Sequence, residues 1–358
     1  VSRAQPDKIT LAREARGLTQ AQLATRVGIT QGHVSKIEMG TLSVTEELLT
    51  KIAAALGYPV SLFYMIDPVI GGGPSDLYHH RKRQSASMRL MKKIYAAINL
   101  RRIQITRLLK AGNFGCNIPK YPIEEHPEGP IDIAQMVRAM WNLPAGPIPD
   151  LTDAIERAGG IVVPCDFDTL LVDGVSQWLP GQPPMFFINA RLPRSRYRMT
   201  LAHELAHVVM HAVPNANMED EAAKFAGEFL MPARDIRRDL RHLSGKSVTE
   251  CMSKLGDLKA IWRVSMQAIL VHASHANVIS PATATSVWRR MSQLGYKRAE
   301  PLEQLIPMEH PRTLRDIVAS HIKQLGYTIA QLADAVGLMV DEFRRIYMPA
   351  EAGHLRAV

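Results

Sequence analysis

The sequence predicts an α+β protein that is mostly helical, and three observations carry that prediction. Short helical patterns, each stopped by a glycine, occupy residues 7–64. Three short β-like runs between Ile161 and Asn189 stand directly before a longer helical stretch. Helical periodicity then continues to about residue 347. The 358 residues suffice for two or three cores, and 46% apolar with 22% charged residues is ordinary for a globular chain. No apolar run approaches bilayer length and the N-terminus has no signal-peptide core. A cytoplasmic protein without a membrane partner is therefore expected. Cys116, Cys165 and Cys251 form no CxxC pair, which argues against a zinc knuckle or a disulfide framework.

Ile9, Leu11 and Ala12 lie on a first helix that stops at Gly17. Thr19 caps a second helix, 20–27, ended by Gly28. Thr30 caps a third that reaches about Glu38, and Thr45 opens a fourth through Leu56. The second and third helices are joined by the tight link Val27-Gly28-Ile29. Leu23 and Ala24 point inward from one, Val34 and Ile37 from the other, which is the spacing of a helix-turn-helix. The third helix then presents Gln31, Gly32, His33, Ser35 and Lys36 outward.

The run Arg16-Gly17-Leu18-Thr19-Gln20-Ala21-Gln22-Leu23-Ala24, followed by Val34-Ser35-Lys36-Ile37-Glu38, resembles the XRE family of phage repressor and Cro type. The resemblance covers about 55 residues and implies binding to double-stranded operator DNA. Carried over by position, it puts Gln20 and Ser35 or Lys36 on phosphates and Gln31 and His33 at base edges. It also leaves room for a homodimer, because such readers commonly meet two half-sites.

Gly71-Gly72-Gly73-Pro74-Ser75 marks a flexible boundary. From Leu77 to Ile123 there is no acidic residue, while eleven Lys and Arg fall in that stretch, more than the whole formal excess of +9. Residues 85–110 read as helical, with Met91, Ile94, Tyr95 and Ile98 on one face. The charges on the other faces either track a phosphate backbone or form a solvated surface.

A helix from Ile131 to Trp141 and another from Leu151 to Ala158 lead into the β-like runs 161–163, 174–179 and 185–189, read as a small antiparallel meander. A helix from about Ser195 to His211 follows and contains His203-Glu204-Leu205-Ala206-His207. His203 and His207 share one helix face about 6 Å apart along the axis, so both imidazoles can reach one Zn²⁺. Glu204 is turned off that line, in the place of a general base. His211 lies about 12 Å from His203 along the axis, too far to join both histidines on one metal. On the next helix, 219–231, Glu219 falls in the sector of the apolar face and is the preferred third ligand, with Glu221 as the alternative. The strand 185–189 is a candidate sheet edge for an extended peptide. Tyr197, His211 and the nearby arginines remain open as oxyanion-stabilising groups.

The segment from Met199 to His211, with Glu219-Asp220-Glu221-Ala222 and Phe225 to Pro232, is similar to the ImmA/IrrE zinc metallopeptidases. Ile188-Asn189, Arg196 and Arg198 add to the likeness, which covers about residues 130–235. The resemblance implies a zincin-like domain with His203, His207 and Glu219 on zinc, Glu204 catalytic, and cleavage of repressor-type helix-turn-helix proteins under stress. Ala206 stands where the family commonly has Gly.

The C-terminal third reads as a helical, winged-helix-like region, with candidate helices 258–262, 265–275 and 282–294 and a possible turn-and-strand near 300. Trp262 to Ala268 resembles the helix-turn-helix segment that follows the peptidase in this family, and Leu325 to Ala333 looks like another helix-turn-helix start. The expected division is a DNA-binding domain at 1–70, a basic helical connector at 71–125, a metallopeptidase domain at 126–240 and the C-terminal region at 241–358. The expected function is a DNA-binding regulator whose zinc endopeptidase cleaves a repressor-type protein, or itself. The alternatives are a transcription factor whose peptidase-like domain senses a ligand or metal, and an antitoxin-type partner binder.

Overall fold

A computed structural model describes residues 3–70, 88–110, 112 and 114–348. These fall into two compact units, one holding 3–70, 88–114 and 312–348, the other 115–311. The last of the four expected segments is thus shared between the units. The helices expected in the first segment form as α1 (Pro6–Ala15), α2 (Gln20–Val27), α3 (Gln31–Glu38) and α4 (Glu46–Leu56). Thr19, Thr30 and Thr45 accept the N–H of Gln22, His33 and Leu48, which satisfies donors that a helix start would otherwise orphan. A buried Arg13–Glu38 pair at 2.6 Å ties α1 to α3.

Helix α5 (Met88–Leu109) packs along α1 and buries Met91, Ile94, Ile98, Ile103, Ile105 and Leu108. Several of its charges are engaged within the unit. Arg89 donates to the Gly17 carbonyl and Gln22, Arg102 is buried against the Pro68 carbonyl, and Arg107 and Lys110 pair with Asp67. These basic side chains therefore bind within the unit, while Lys92 and Lys110 stay more than half exposed. Arg81, Lys82, Arg83 and the Gly71 to Ser75 break lie outside the described residues.

The second unit begins with α6 (Pro130–Met140) and α7 (Leu151–Arg157), followed by β1 (Ile161–Cys165), β2 (Gly174–Gln177) and β3 (Met185–Asn189). The sheet is mixed, in the order β1-β3-β2, and not the antiparallel meander expected. β3 is central, parallel to β1 and antiparallel to β2. The expectation that β3 lies at an edge is thereby overturned. The physical reason is in the residues: Met-Phe-Phe-Ile-Asn is buried at all five positions, whereas β1 carries Pro164, which lacks an N–H to donate and suits an edge. Then come α8 (Arg194–Met210), α9 (Met218–Leu230), α10 (Ala233–Leu240), α11 (Val248–Trp262), α12 (Met266–His275) and α13 (Pro281–Gln293). Among the described residues no strand follows β3, so the C-terminal region is helical without a wing.

Between α13 and residue 312 the chain runs as a strap whose carboxylates cap three helices. Glu300 accepts the N–H groups of Met266 and Gln267 at α12. Glu303 accepts the N–H and Oγ–H of Ser195 at α8. Glu309 accepts the N–H groups of Leu151 and Thr152 at α7. Fully buried Lys259 donates to Glu300 at 2.9 Å and to Glu303 at 2.6 Å.

The chain then returns to the first unit as α14 (Thr313–Lys323), α15 (Ile329–Ala335) and α16 (Val340–Tyr347). Gly326, Thr328, Gln331, Leu332, Ala333 and Gly337 repeat Gly17, Thr19, Gln22, Leu23, Ala24 and Gly28 position for position. Thr328 and Gln331 form the same capping box as Thr19 and Gln22. The two copies differ in surroundings. A Cβ on Gly28 would meet nothing within 4 Å, but one on Gly337 would stand 2.9 Å from Leu62 and Met65. Glu342, which falls where α3 has His33, is bound by Arg16 at 2.9 Å. The helix-turn-helix-like segment at 326–347 is thus packed by its turn against Leu62 and Met65 and by its last helix against Arg16.

Candidate metal centre

Helix α8 is buried on most of its circumference, through Leu201, Ala202, Leu205, Ala206, Val209 and Met210. Its N-terminus has no cap of its own and is closed by Glu303 of the strap. Arg198 is fixed by an ion pair with Glu309 and by donation to the Ile148 carbonyl at 2.8 Å. Burial lowers the Arg198 pKa to about 10. Both attachments hold the helix that carries His203, Glu204 and His207.

Helix α9 packs against α8 and brings Glu219 to the two histidines. His203 Nε2 and His207 Nε2 are 3.1 Å apart. Glu219 Oε1 is 3.4 Å from His207 Nε2 and Oε2 is 3.6 Å from His203 Nε2. Among the described residues these three form a group able to hold a metal ion. Burial would raise the Glu219 carboxyl, but the two histidines outweigh it and hold its pKa far below the usual carboxylate range. Glu219 Oε1 is buried and lacks a hydrogen bond of normal length.

Glu204 is 1% exposed and accepts a 2.7 Å hydrogen bond from Ser176 Oγ on β2. β2 can approach α8 this closely because of Gly174, where a Cβ would stand 2.9 Å from Thr200 and 3.3 Å from Glu204. Ser176 is not among the residues expected at this site. A serine on a short strand carries no signal until the strand is known to lie against α8.

Glu221, the alternative third ligand, points elsewhere and meets His211 Nε2 at 3.0 Å. His211 stands behind His207, away from His203. Glu228 accepts from Gln135 and from the Ala233 N–H that opens α10. Tyr197 lines a separate cavity with Pro164, Leu192 and Met308. A cleft of about 180 Å³ beside the histidines is lined by Lys120, Ser176, Trp178, His207 and His211, with Lys120 Nζ 4.3 Å above the Trp178 ring.

In the first unit, Gln20 donates to Glu38 at 2.8 Å and accepts from Gln31 at 2.7 Å. Gln31 and Lys36 are exposed, while His33 and Ser35 are half-buried. Glu38 and Arg13, absent from the expected site, are what hold the two glutamines in line.

Residues 155–274 match the model of a peptidase family described as IrrE N-terminal-like domain, and residues 9–63 match the one described as Helix-turn-helix. No curated protein and no solved structure matches the chain. No helix among the described residues is long and apolar enough to cross a membrane. The chain thus joins an XRE-type helix-turn-helix domain to an IrrE/ImmA-like peptidase-type domain.

Proposed function

From that pairing we propose a DNA-binding transcriptional regulator with a zinc-dependent endopeptidase, its substrate a repressor-type protein or the chain itself. The observation that carries the reading is the convergence of His203, His207 and Glu219, with Glu204 next to His203 in the chain and buried against Ser176. Two imidazoles and a carboxylate are an ordinary zinc donor set. Donors about 2.0–2.2 Å from a tetrahedral centre stand about 3.3–3.6 Å apart, close to the 3.1, 3.4 and 3.6 Å separations here. The unsatisfied, buried Glu219 Oε1 supports the same fit.

A bound zinc supplies Lewis acidity, polarising the scissile carbonyl and acidifying the attacking water. Glu204, adjacent to the donors, takes that water's proton and returns it to the leaving amine. Ser176 holds one Glu204 oxygen, so the carboxylate keeps a single orientation. With β3 central, an extended substrate adds instead along β2, the edge strand that carries Ser176. Metal analysis of the full chain is expected to give one zinc per molecule, and a chelator to stop cleavage of candidate repressors until zinc is restored. A chain with zinc but no cleavage would favour the sensor reading.

Ser176→Ala is expected to lower kcat about 10-fold, the equivalent of about 1.4 kcal/mol for a lost hydrogen bond to a charged group. KM should change little, and Ser176→Thr should retain most of the rate. An unchanged kcat for the alanine variant would remove Ser176 from the mechanism.

On DNA, Gln31 keeps one amide N–H and its carbonyl free of the Gln20 bond, enough for a bidentate base contact. Gln31→Ala should cost about 1–3 kcal/mol of specific binding and relax discrimination at one base pair. Lys36→Ala should weaken all sequences alike and reduce the slope of log K against log salt by about 1. Footprints and salt slopes unchanged in both variants would move recognition away from α3. Gln20, His33 and Ser35 complete the proposed DNA surface.

A further inference from the structure

Behind the three donors lies a second row of polar groups. His207 Nδ1 is 3.0 Å from His211 Nδ1, and His211 Nε2 is 3.0 Å from Glu221 Oε2. Asn215 Nδ2 donates to the same Glu221 oxygen at 3.2 Å, and Asn215 Oδ1 in turn accepts the Asn217 N–H. The His211 side chain is fully buried, and Glu221 is 19% exposed. Glu219 and Glu221 leave the same turn of α9 roughly 200° apart, so one faces the donors and the other faces His211.

One arrangement of protons satisfies every contact. A ligating nitrogen carries no proton, and His207 Nε2 is the atom that faces His203 and Glu219. Neutral His207 therefore carries its proton on Nδ1 and donates it to His211 Nδ1. His211 must then carry its own proton on Nε2, where Glu221 accepts it. The opposite tautomer of His211 would set two N–H groups against each other at 3.0 Å and leave the Glu221 carboxylate facing a bare nitrogen.

We infer that His211 and Glu221 are positioning residues for the metal centre: they fix the tautomer and ring angle of His207 through a His207–His211–Glu221 relay. The inference rests on the reading of His203, His207 and Glu219 as ligands. Outer partners of this kind orient ligating imidazoles and raise their basicity, and their loss weakens metal binding about 10- to 100-fold. The relay also explains why a third histidine at the same four-residue spacing is buried without reaching the donor group.

The test is zinc affinity of the full chain, measured by competition with a chelating indicator, with His203→Ala as the control that removes a donor. Glu221→Gln keeps an acceptor but removes the charge, Glu221→Asp keeps the charge, and His211→Phe removes the relay. The expected result is one zinc in the wild type, a loss of about 10- to 100-fold in Glu221→Gln and His211→Phe, and recovery of most of it in Glu221→Asp. The visible absorption bands of the cobalt-substituted protein should shift in Glu221→Gln and return in Glu221→Asp. Wild-type affinity and unshifted bands in Glu221→Gln, with His203→Ala unable to bind, would overturn the relay and leave the metal site standing. A wild type that binds no zinc would overturn both. Should His211→Phe fail to fold, the two Glu221 variants decide the matter.

Discussion

Glu204→Gln is expected to lower proteolysis by about 10²- to 10⁴-fold while leaving zinc content unchanged. Gln is isosteric with Glu but takes no proton, so the variant removes the base alone. His203, His207 and Glu219 are held to one another by contacts of 3.1–3.6 Å that do not involve Glu204, so they should keep their positions. Ser176 Oγ can still donate to the amide oxygen, so the local structure should hold. The measurement is initial-rate cleavage of a candidate repressor, with zinc quantified in the same samples. Equal rates in both proteins would eliminate Glu204 as the base. The drop should exceed that of Ser176→Ala, which disturbs the placement of the base and not its chemistry.

Glu309→Ala is expected to destabilise the second unit by about 3–5 kcal/mol, the usual cost of removing one partner of a buried ion pair. Arg198 would remain at 2% exposure, still donating to the Ile148 carbonyl but without its carboxylate partner. The N–H groups of Leu151 and Thr152 would also lose their acceptor. The double variant Arg198→Met with Glu309→Leu should recover most of the loss, because an apolar pair of similar volume avoids the desolvation of two ions. Urea unfolding followed by tryptophan emission measures this unit selectively, since Trp141, Trp178, Trp262 and Trp288 all lie in 115–311. A single variant with an unshifted midpoint would mean that the strap does not hold α8. Because α8 carries the metal donors, zinc affinity should fall along with stability.

The two predictions draw on different kinds of information. The helix starts at Thr19, Thr30 and Thr45 were legible because a cap is a local contact, made within three residues. The pairing of His203 with His207 was legible for a similar reason, since four residues of helix bring two side chains onto one face. The choice of Glu219 over Glu221 also followed from angular position, although its packing partner α8 could not be read. Strand order was not legible. Three apolar runs in succession suit a meander as well as a mixed sheet, and Pro164, which suits a margin, places β1 at an edge in either one. Reading β3 as an edge followed directly from that error.

By itself the sequence determined the local geometry of this protein: its caps, its glycine stops, the shared face of the two histidines and the helix-turn-helix spacing at both ends. All of these are set by backbone sterics and hydrogen bonds over a few residues. The tertiary structure alone decided what lies beside them. It put Ser176 against Glu204, His211 behind His207, and the carboxylates of Glu300, Glu303 and Glu309 at the starts of three helices. Those contacts join residues separated by as many as 158 positions. They form because a buried charge or an orphaned N–H must find a partner wherever packing places one, and no periodicity along the chain records that requirement.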